Sequence, residues 1–446
     1  MNRQEWQERN VGEDGRSWLD RDAVAYLHQA GSTPCITSIQ SADGVWLEAH
    51  GGKRYLDLYG NSVHHVGYRH PRMIAALTAQ LNELTFAPRR FTNEPAVRLA
   101  EMLLKRWPGG RGQVLLTTGG SDAIELAMKI ARVSTGRYKT ISFYDSYHGN
   151  GFGALSVGGR YADRSPRLGP LLEGALHVPP FYARDDAWDT PAEASLDAMR
   201  YVFARERDIA AVIAEPIRST PHIPPDWYWP EVRKLCDQHG ALLIFDEIPT
   251  GLGKMGKLFT SEHVGARPDM TVLGKALGGG VVPVAAVIAR SDLNCATELS
   301  LGHYTHEKNP FCARAALTML QIVEDEGLVE HAATLGAHAL TRVASMSTRQ
   351  PLVKCGRGRG LLFAIELQSA GAGKPVNEIV QSVFWRVLDR GINLSASEGR
   401  DLSITAPLVI SRDQLDHALD QIEGAIAEEW GGLNSASRPG HRGGTS

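Results

Sequence analysis

Residues 271–283 read TVLGKALGGGVVP, an apolar run that ends in Lys275 and is followed by three consecutive glycines. A lysine on its own lays its stem along apolar surface and keeps its head in water. This one has company. Asp246 closes the apolar LLIFD, 29 residues earlier, a separation of about one βα unit. Gly119, Gly120 and Ser121 follow QVLLTT and open the best helical segment of the chain; bare amides and a hydroxyl at a helix N-terminus suit a phosphate. Tyr147, in DSYHG, follows another strand-like run. Each feature has a plainer explanation alone: an N-cap, a loop cap, a core ring. Together they put an amine, a carboxylate, an anion cradle and a flat aromatic at the ends of strands, where ligands of open α/β sheets bind.

The elements that must position these groups follow from hydrophobic pattern. Six nearly continuous apolar runs, 113–118, 139–145, 210–217, 241–248, 269–275 and 284–290, read as strands of parallel type buried on both faces. Between them lie helices. In SDAIELAMKIAR the polar Asp122, Glu125, Lys129 and Arg132 form one stripe, with Glu125 and Lys129 as an i,i+4 pair; EVRKLCDQHG is a second helix, stopped by Gly240. The alternation predicts an α/β fold, a large doubly wound, mostly parallel sheet domain over 61–315. The flanking segments 1–60 and 316–430 are expected to form a smaller α+β domain, with turns at ADG and HGGK, and 431–446 a disordered tail. Lys and Arg number 47 against 50 Asp and Glu, which gives no sign of nucleic-acid or membrane binding. The N-terminus lacks the apolar core of a signal peptide, and no run is long enough to span a membrane. Five scattered cysteines without a CxxC suggest neither disulfides nor a metal. A cytoplasmic protein is expected.

An aldehyde, a pyridine nitrogen, a flat ring and a phosphate on one molecule would use all four groups, and pyridoxal 5′-phosphate is that molecule. The lysine would form the Schiff base, the aspartate would keep the pyridine nitrogen protonated, and the glycines would let backbone approach the ring. The series TTGGSDAIELAMKIAR, YHG, AEP, LLIFDEIPTGLGKMGK, LGKALGGG and GHYTHEKNP resembles the class III aminotransferases of fold type I, in order and spacing, across nearly the whole chain. The resemblance implies that Lys275 carries the cofactor and that Asp246 is its pyridinium partner. It also implies that Gly119, Gly120 and Ser121 hold the phosphate and that Tyr147 stacks on the ring. By the same resemblance His148, Glu215 and Ile248 are expected at the cofactor site, with Glu215 toward the substrate side. Thr305 would reach the phosphate of a neighbouring subunit, so a homodimer with sites at the interface is implied.

Two departures from the family pattern bear on the reaction. Many members acting on α-amino acids carry an arginine ahead of a PPL motif, a two-point grip for the α-carboxylate. This chain reads DLSITAPL, with Ser403 at that position. The usual DE(V/I)QTG reads DEIPTG, and Pro249 cannot donate the hydrogen bond of the glutamine it replaces. Arg89 and Arg90 in FAPRRFTNEP, and Arg218 where many relatives have glutamine, are candidate grips for a phosphonate or phosphate. One of the histidines His64, His65, His148, His303 and His306 could serve as a proton donor. STPC, GNSVHHVGY, PRRFTN, EPIRSTP, DEIPTGLGK and GHYTHEKNP look like a subgroup of the class, the (R)-1-hydroxy-2-aminoethylphosphonate ammonia-lyases. That resemblance implies release of ammonia from the amine to give phosphonoacetaldehyde. The alternatives are an ω-amine or amino-acid aminotransferase with a keto-acid acceptor, a phospho-lyase acting on ethanolamine phosphate, and a non-catalytic binding protein, against which Lys275 and Asp246 both speak.

Overall fold

All six apolar runs enter one seven-stranded sheet in a computed structural model that describes residues 1–182, 189–371 and 373–436. Across the sheet the strands are Gly112–Thr117, Ala285–Arg290, Met270–Leu273, Leu242–Asp246, Ile209–Ala214, Lys139–Phe143 and Ala175–Val178. Ala285–Arg290 is antiparallel to both its neighbours; the others share one direction. Continuous apolarity reports burial on two faces, not direction, so the pattern could not reveal this reversal. The connection does explain it. Only the short 3-10 turn Lys275–Gly278 lies between Met270–Leu273 and Ala285–Arg290, whereas a parallel crossover needs a dozen or more residues. The edge strand Ala175–Val178 was not legible, being four residues long and mostly half-buried.

The helix expected at 121–132 runs Gly120–Thr135 and ends at Gly136, whose φ of 66° is left-handed. It lays Ala123, Ile124, Ala127 and Ile130 on the sheet beside Ile213, Ile244 and Val287. The Glu125–Lys129 pair is replaced by other contacts: Glu125 Oε1 accepts the Ala154 amide at 2.9 Å, and Lys129 Nζ donates to the Leu301 carbonyl at 3.1 Å. The second helix spans Tyr228–His239 and stops at Gly240, as its glycine predicts.

The chain divides into two compact units. One takes 62–66 and 71–332 and holds the seven-stranded sheet; the other takes 1–61, 67–70 and the chain from 333 onward. The boundary expected after 315 differs because helix Pro310–Asp325 packs on Pro71–Glu83 and Glu94–Arg106, within the larger unit. In the smaller unit Ile39–Asp43, Trp46–Ala49 and Arg54–Asp57 form a meander, turning at Gly44, Gly51 and Gly52 with positive φ. A second, antiparallel sheet orders Val353–Arg359, Leu362–Leu367, Asp401–Thr405 and Ser395–Ser397. The closing helix Arg412–Ala436 takes the first residues of the expected tail, and 437–446 lie outside the described residues. No helix among the described residues is long and apolar enough to cross a membrane.

One glycine holds the segment that carries Tyr147 and His148. A Cβ on Gly159 would lie 2.1 Å from the Phe143 carbonyl oxygen and 2.6 Å from Tyr144 Cα, and the Gly159 amide donates to the Ser146 carbonyl at 2.9 Å. Backbone must move to admit a methyl there. Gly159→Ala is expected to cost about 1–3 kcal/mol, read as a lowered urea midpoint. An unchanged midpoint would mean that the segment yields without cost.

Candidate active site

Because six of the seven strands run the same way, their carboxyl ends meet at one edge. Asp246 is the last residue of its strand, Glu215 follows Ile209–Ala214 directly, and Lys275 stands two residues past Met270–Leu273. Gly119 and Gly120 follow Gly112–Thr117, and Tyr147 and His148 follow Lys139–Phe143. A cavity of about 200 Å³ opens among them. Gly120, Ser121, Tyr147, His148, Glu215, Asp246, Ile248 and Lys275 all line it, with Gly149, Ser219 and Pro249.

Asp246 is 2% exposed and accepts from His148 Nδ1 at 2.8 Å through one oxygen and from the Ile248 amide at 3.0 Å through the other. Both bonds fix the plane of the carboxylate. His148 is itself buried, and its Nε2 has no hydrogen-bond partner among the described residues. Lys275 has φ of 47°, a left-handed conformation that a residue with a Cβ adopts at a cost, of the kind held at functional sites. Burial pushes its pKa down; the Asp246 and Glu215 carboxylates work against that, and the Arg218 guanidinium adds to it. A buried amine with a lowered pKa is a better nucleophile and base near neutrality.

Across the cavity, helix Gly120–Thr135 begins with Gly119 at its N-cap, which has no side chain to cap its first amides. A Cβ on Gly120 would meet Ile248 Cδ1 at 2.9 Å, and one on Gly149 would meet Ser121 Oγ at 2.5 Å. Gly149, with φ of 139° and the Ser121 Cα also 2.9 Å from that Cβ, has no room for a side chain. Gly149 and Ser219 were missed at the sequence level; for Gly149 the signal was a glycine directly after the aromatic pair of YHG. The Tyr147 ring has the Arg160 guanidinium 5.1 Å from its centroid, and burial raises the Tyr147 pKa. This donor set fits pyridoxal 5′-phosphate. The buried, oriented Asp246 carboxylate could hold a protonated ring nitrogen, Lys275 could carry the aldehyde, and the helix start at Gly120 and Ser121 could take the phosphate. Ile248 and Tyr147 supply apolar walls.

Other expected residues stand elsewhere. Arg89, Arg90 and Thr305 do not line the cavity; Arg90 and Thr305 are exposed. Arg218 is buried behind the wall. Its guanidinium bonds Glu215 Oε2 and the Asp145 carbonyl, so its fork is engaged within the protein rather than presented to a ligand. His64 and His65 are buried, and His303 and His306 are exposed; none lines the cavity. In the smaller unit Ser403 is buried, with its hydroxyl 2.5 Å from that of Ser397.

Next to Asp246, Glu247 is fully buried, and burial pushes its carboxyl up to about 7 although the Ser261 and Thr260 amides bond the carboxylate. The folded state then binds a proton that the unfolded chain releases near 4.5. This contribution to stability is complete below about 4.5 and lost as pH rises through about 7. Urea midpoints of wild type and Glu247→Gln are expected to converge, or cross against wild type, between about pH 5 and about pH 8. A constant difference across that range would show that Glu247 does not titrate there.

Comparison with known proteins agrees with this site. The family model described as aminotransferase class-III matches residues 27–426. The chain is 37% identical, over 96% of its length and 93% of the relative's, to the (R)-1-hydroxy-2-aminoethylphosphonate ammonia-lyase of Vibrio splendidus. It is 32% identical to the isoleucine 2-epimerase of Lentilactobacillus buchneri, covering 92% and 94% of the two chains. The crystal structure of an amine transaminase from an uncultivated Pseudomonas species in its PLP-bound form superposes with a TM-score of 0.84 at 28% identity, covering 91% and 98%. The chain belongs to the class III aminotransferase family, the pyridoxal-phosphate-dependent enzymes of fold type I.

Proposed function

We propose that this enzyme is an ammonia-lyase that converts (R)-1-hydroxy-2-aminoethylphosphonate to phosphonoacetaldehyde and ammonia. The observation that carries the reading is Ser403. At the sequence position where family members acting on α-amino acids carry the guanidinium fork of an arginine, this chain has a serine whose buried hydroxyl lies 2.5 Å from that of Ser397. Arg357, on the same sheet, is committed to Asp401 and to Glu366 at 2.8 Å. A substrate whose amine-bearing carbon is a CH2 needs no such fork. The similarity to the Vibrio splendidus ammonia-lyase supports the same substrate class.

When bound, the cofactor draws electrons from the carbon bearing the substrate nitrogen and so makes its C–H bond acidic. In this reading Lys275 takes that proton, its pKa already lowered by burial. Lys275 then returns the proton to the hydroxyl leaving the neighbouring carbon, so that water departs. The released enamine moves a proton from nitrogen to the phosphonate-bearing carbon, water then cleaves the carbon–nitrogen bond of the resulting imine, and the two waters cancel: one substrate gives one aldehyde and one ammonia. Asp246, oriented by His148, holds positive charge on the ring nitrogen. Gly119, Gly120 and Ser121 seat the phosphate, while Tyr147 and Ile248 hold the ring. The exposure of Thr305 suits the reading that it completes the phosphate site of a second subunit in a homodimer.

A transaminase is the second reading, favoured by solved relatives such as the Thermomicrobium roseum omega-transaminase, 27% identical at a TM-score of 0.86. The two differ in one requirement. The holoenzyme is expected to release equal amounts of ammonia and aldehyde from the hydroxyphosphonate without any keto acid; dependence on pyruvate or 2-oxoglutarate would establish the transaminase instead. Inorganic phosphate released from ethanolamine phosphate would mark a phospho-lyase. Lys275→Ala is expected to abolish turnover together with the yellow colour that borohydride bleaches. Normal steady-state activity in that variant would exclude the mechanism.

A further inference from the structure

We propose that Arg218 makes the site selective for anionic amines by its charge alone, cancelling Glu215 from behind the cavity wall without touching the substrate. The inference rests on the reading of an anion-bearing amine substrate. Glu215 lines the cavity and Arg218 does not. Their side chains are 3% and 8% exposed, and they bond directly. The second guanidinium nitrogen is held by the Asp145 carbonyl. The other Glu215 oxygen accepts the Ser219 amide at 3.2 Å. Glu215 is thus held from both sides, one of them cationic, and is not free to turn toward a substrate ammonium.

The consequence is electrostatic. Asp246 and Glu215 are two carboxylates on one small cavity, opposed by Lys275 when it is protonated. Without Arg218 the wall would favour amines that carry no anion and repel a dianionic phosphonate. Arg218 adds one buried positive charge that cannot be deprotonated. Lys275 registers both groups: the Glu215 carboxylate raises its proton affinity and the Arg218 guanidinium lowers it, so both fields reach the reacting amine. Arg218 is in this sense a positioning residue. It also ties Glu215 to Asp145, two residues before Tyr147.

The experiment compares two ligands without a leaving group on the holoenzyme: 2-aminoethylphosphonate, and propylamine, which carries no anion. Binding is read from the change in visible absorbance. Arg218→Gln is expected to weaken the phosphonate on the order of tenfold or more, the effect of one elementary charge at this depth, and to leave propylamine within about twofold. Arg218→Lys should restore the wild-type ratio, and the double variant Glu215→Gln/Arg218→Gln should keep it, since it removes both charges and tolerates loss of the pair. The proposal is overturned if Arg218→Lys is as poor as Arg218→Gln, which would mean a direct two-point grip. It is also overturned if both ligands weaken equally, or if the double variant loses selectivity. Because neither ligand can eliminate, the outcome separates from the lyase reading. Charge selectivity without ammonia release would end only the lyase; ammonia release with unmoved selectivity would end only this proposal.

Discussion

A carboxylate almost without access to water, Asp246, is the constraint around which the larger unit is arranged. An isolated buried ion costs several kcal/mol, so its neighbours must hold it. The His148 ring and the Ile248 amide do so, one on each oxygen. Lys275 stands two residues past the end of the adjacent strand, where the Asp246 carboxylate raises its proton affinity against the larger effect of burial. Their closeness is not the work of a local motif. The parallel sheet does it, by ending both strands on one edge.

The turn after Asp246 shows why a proline is tolerated at the cavity wall. The Ile248 amide is used by Asp246, and the Thr250 and Gly251 amides by the Glu247 carbonyl at 3.2 and 2.9 Å. Pro249 is buried between them and brings no N–H that would need a partner. A turn whose donors are all committed to its own strand end presents none to a ligand on that side. The cavity wall beside this turn is made by Asp246, His148, Tyr147 and Ile248.

In the smaller unit, charges on the Val353–Arg359 sheet are balanced internally. Arg357 bonds Asp401 and Glu366, and Lys354 bonds Glu366 at 3.0 Å. Ser403 lies on the same ladder as Arg357, paired through Ala364. The loss of the family arginine at that position is therefore not made good by Arg357.

Much of this was legible in the residues themselves. The apolar runs, the polar stripe of the helix that begins at Gly120, the stop at Gly240, and the strand-end positions of Lys275, Asp246 and Tyr147 depend on spacing and side-chain type, which are local properties. What the tertiary structure alone decided was the pairing. It gave Arg218 to Glu215 rather than to a ligand, kept Arg89 and Arg90 out of the cavity, broke the Glu125–Lys129 pair, and reversed Ala285–Arg290. A guanidinium has several carboxylates and carbonyls within reach of its long stem, and a strand can pair in either direction. Those choices are made by groups far away in the chain, so no local spacing carries them.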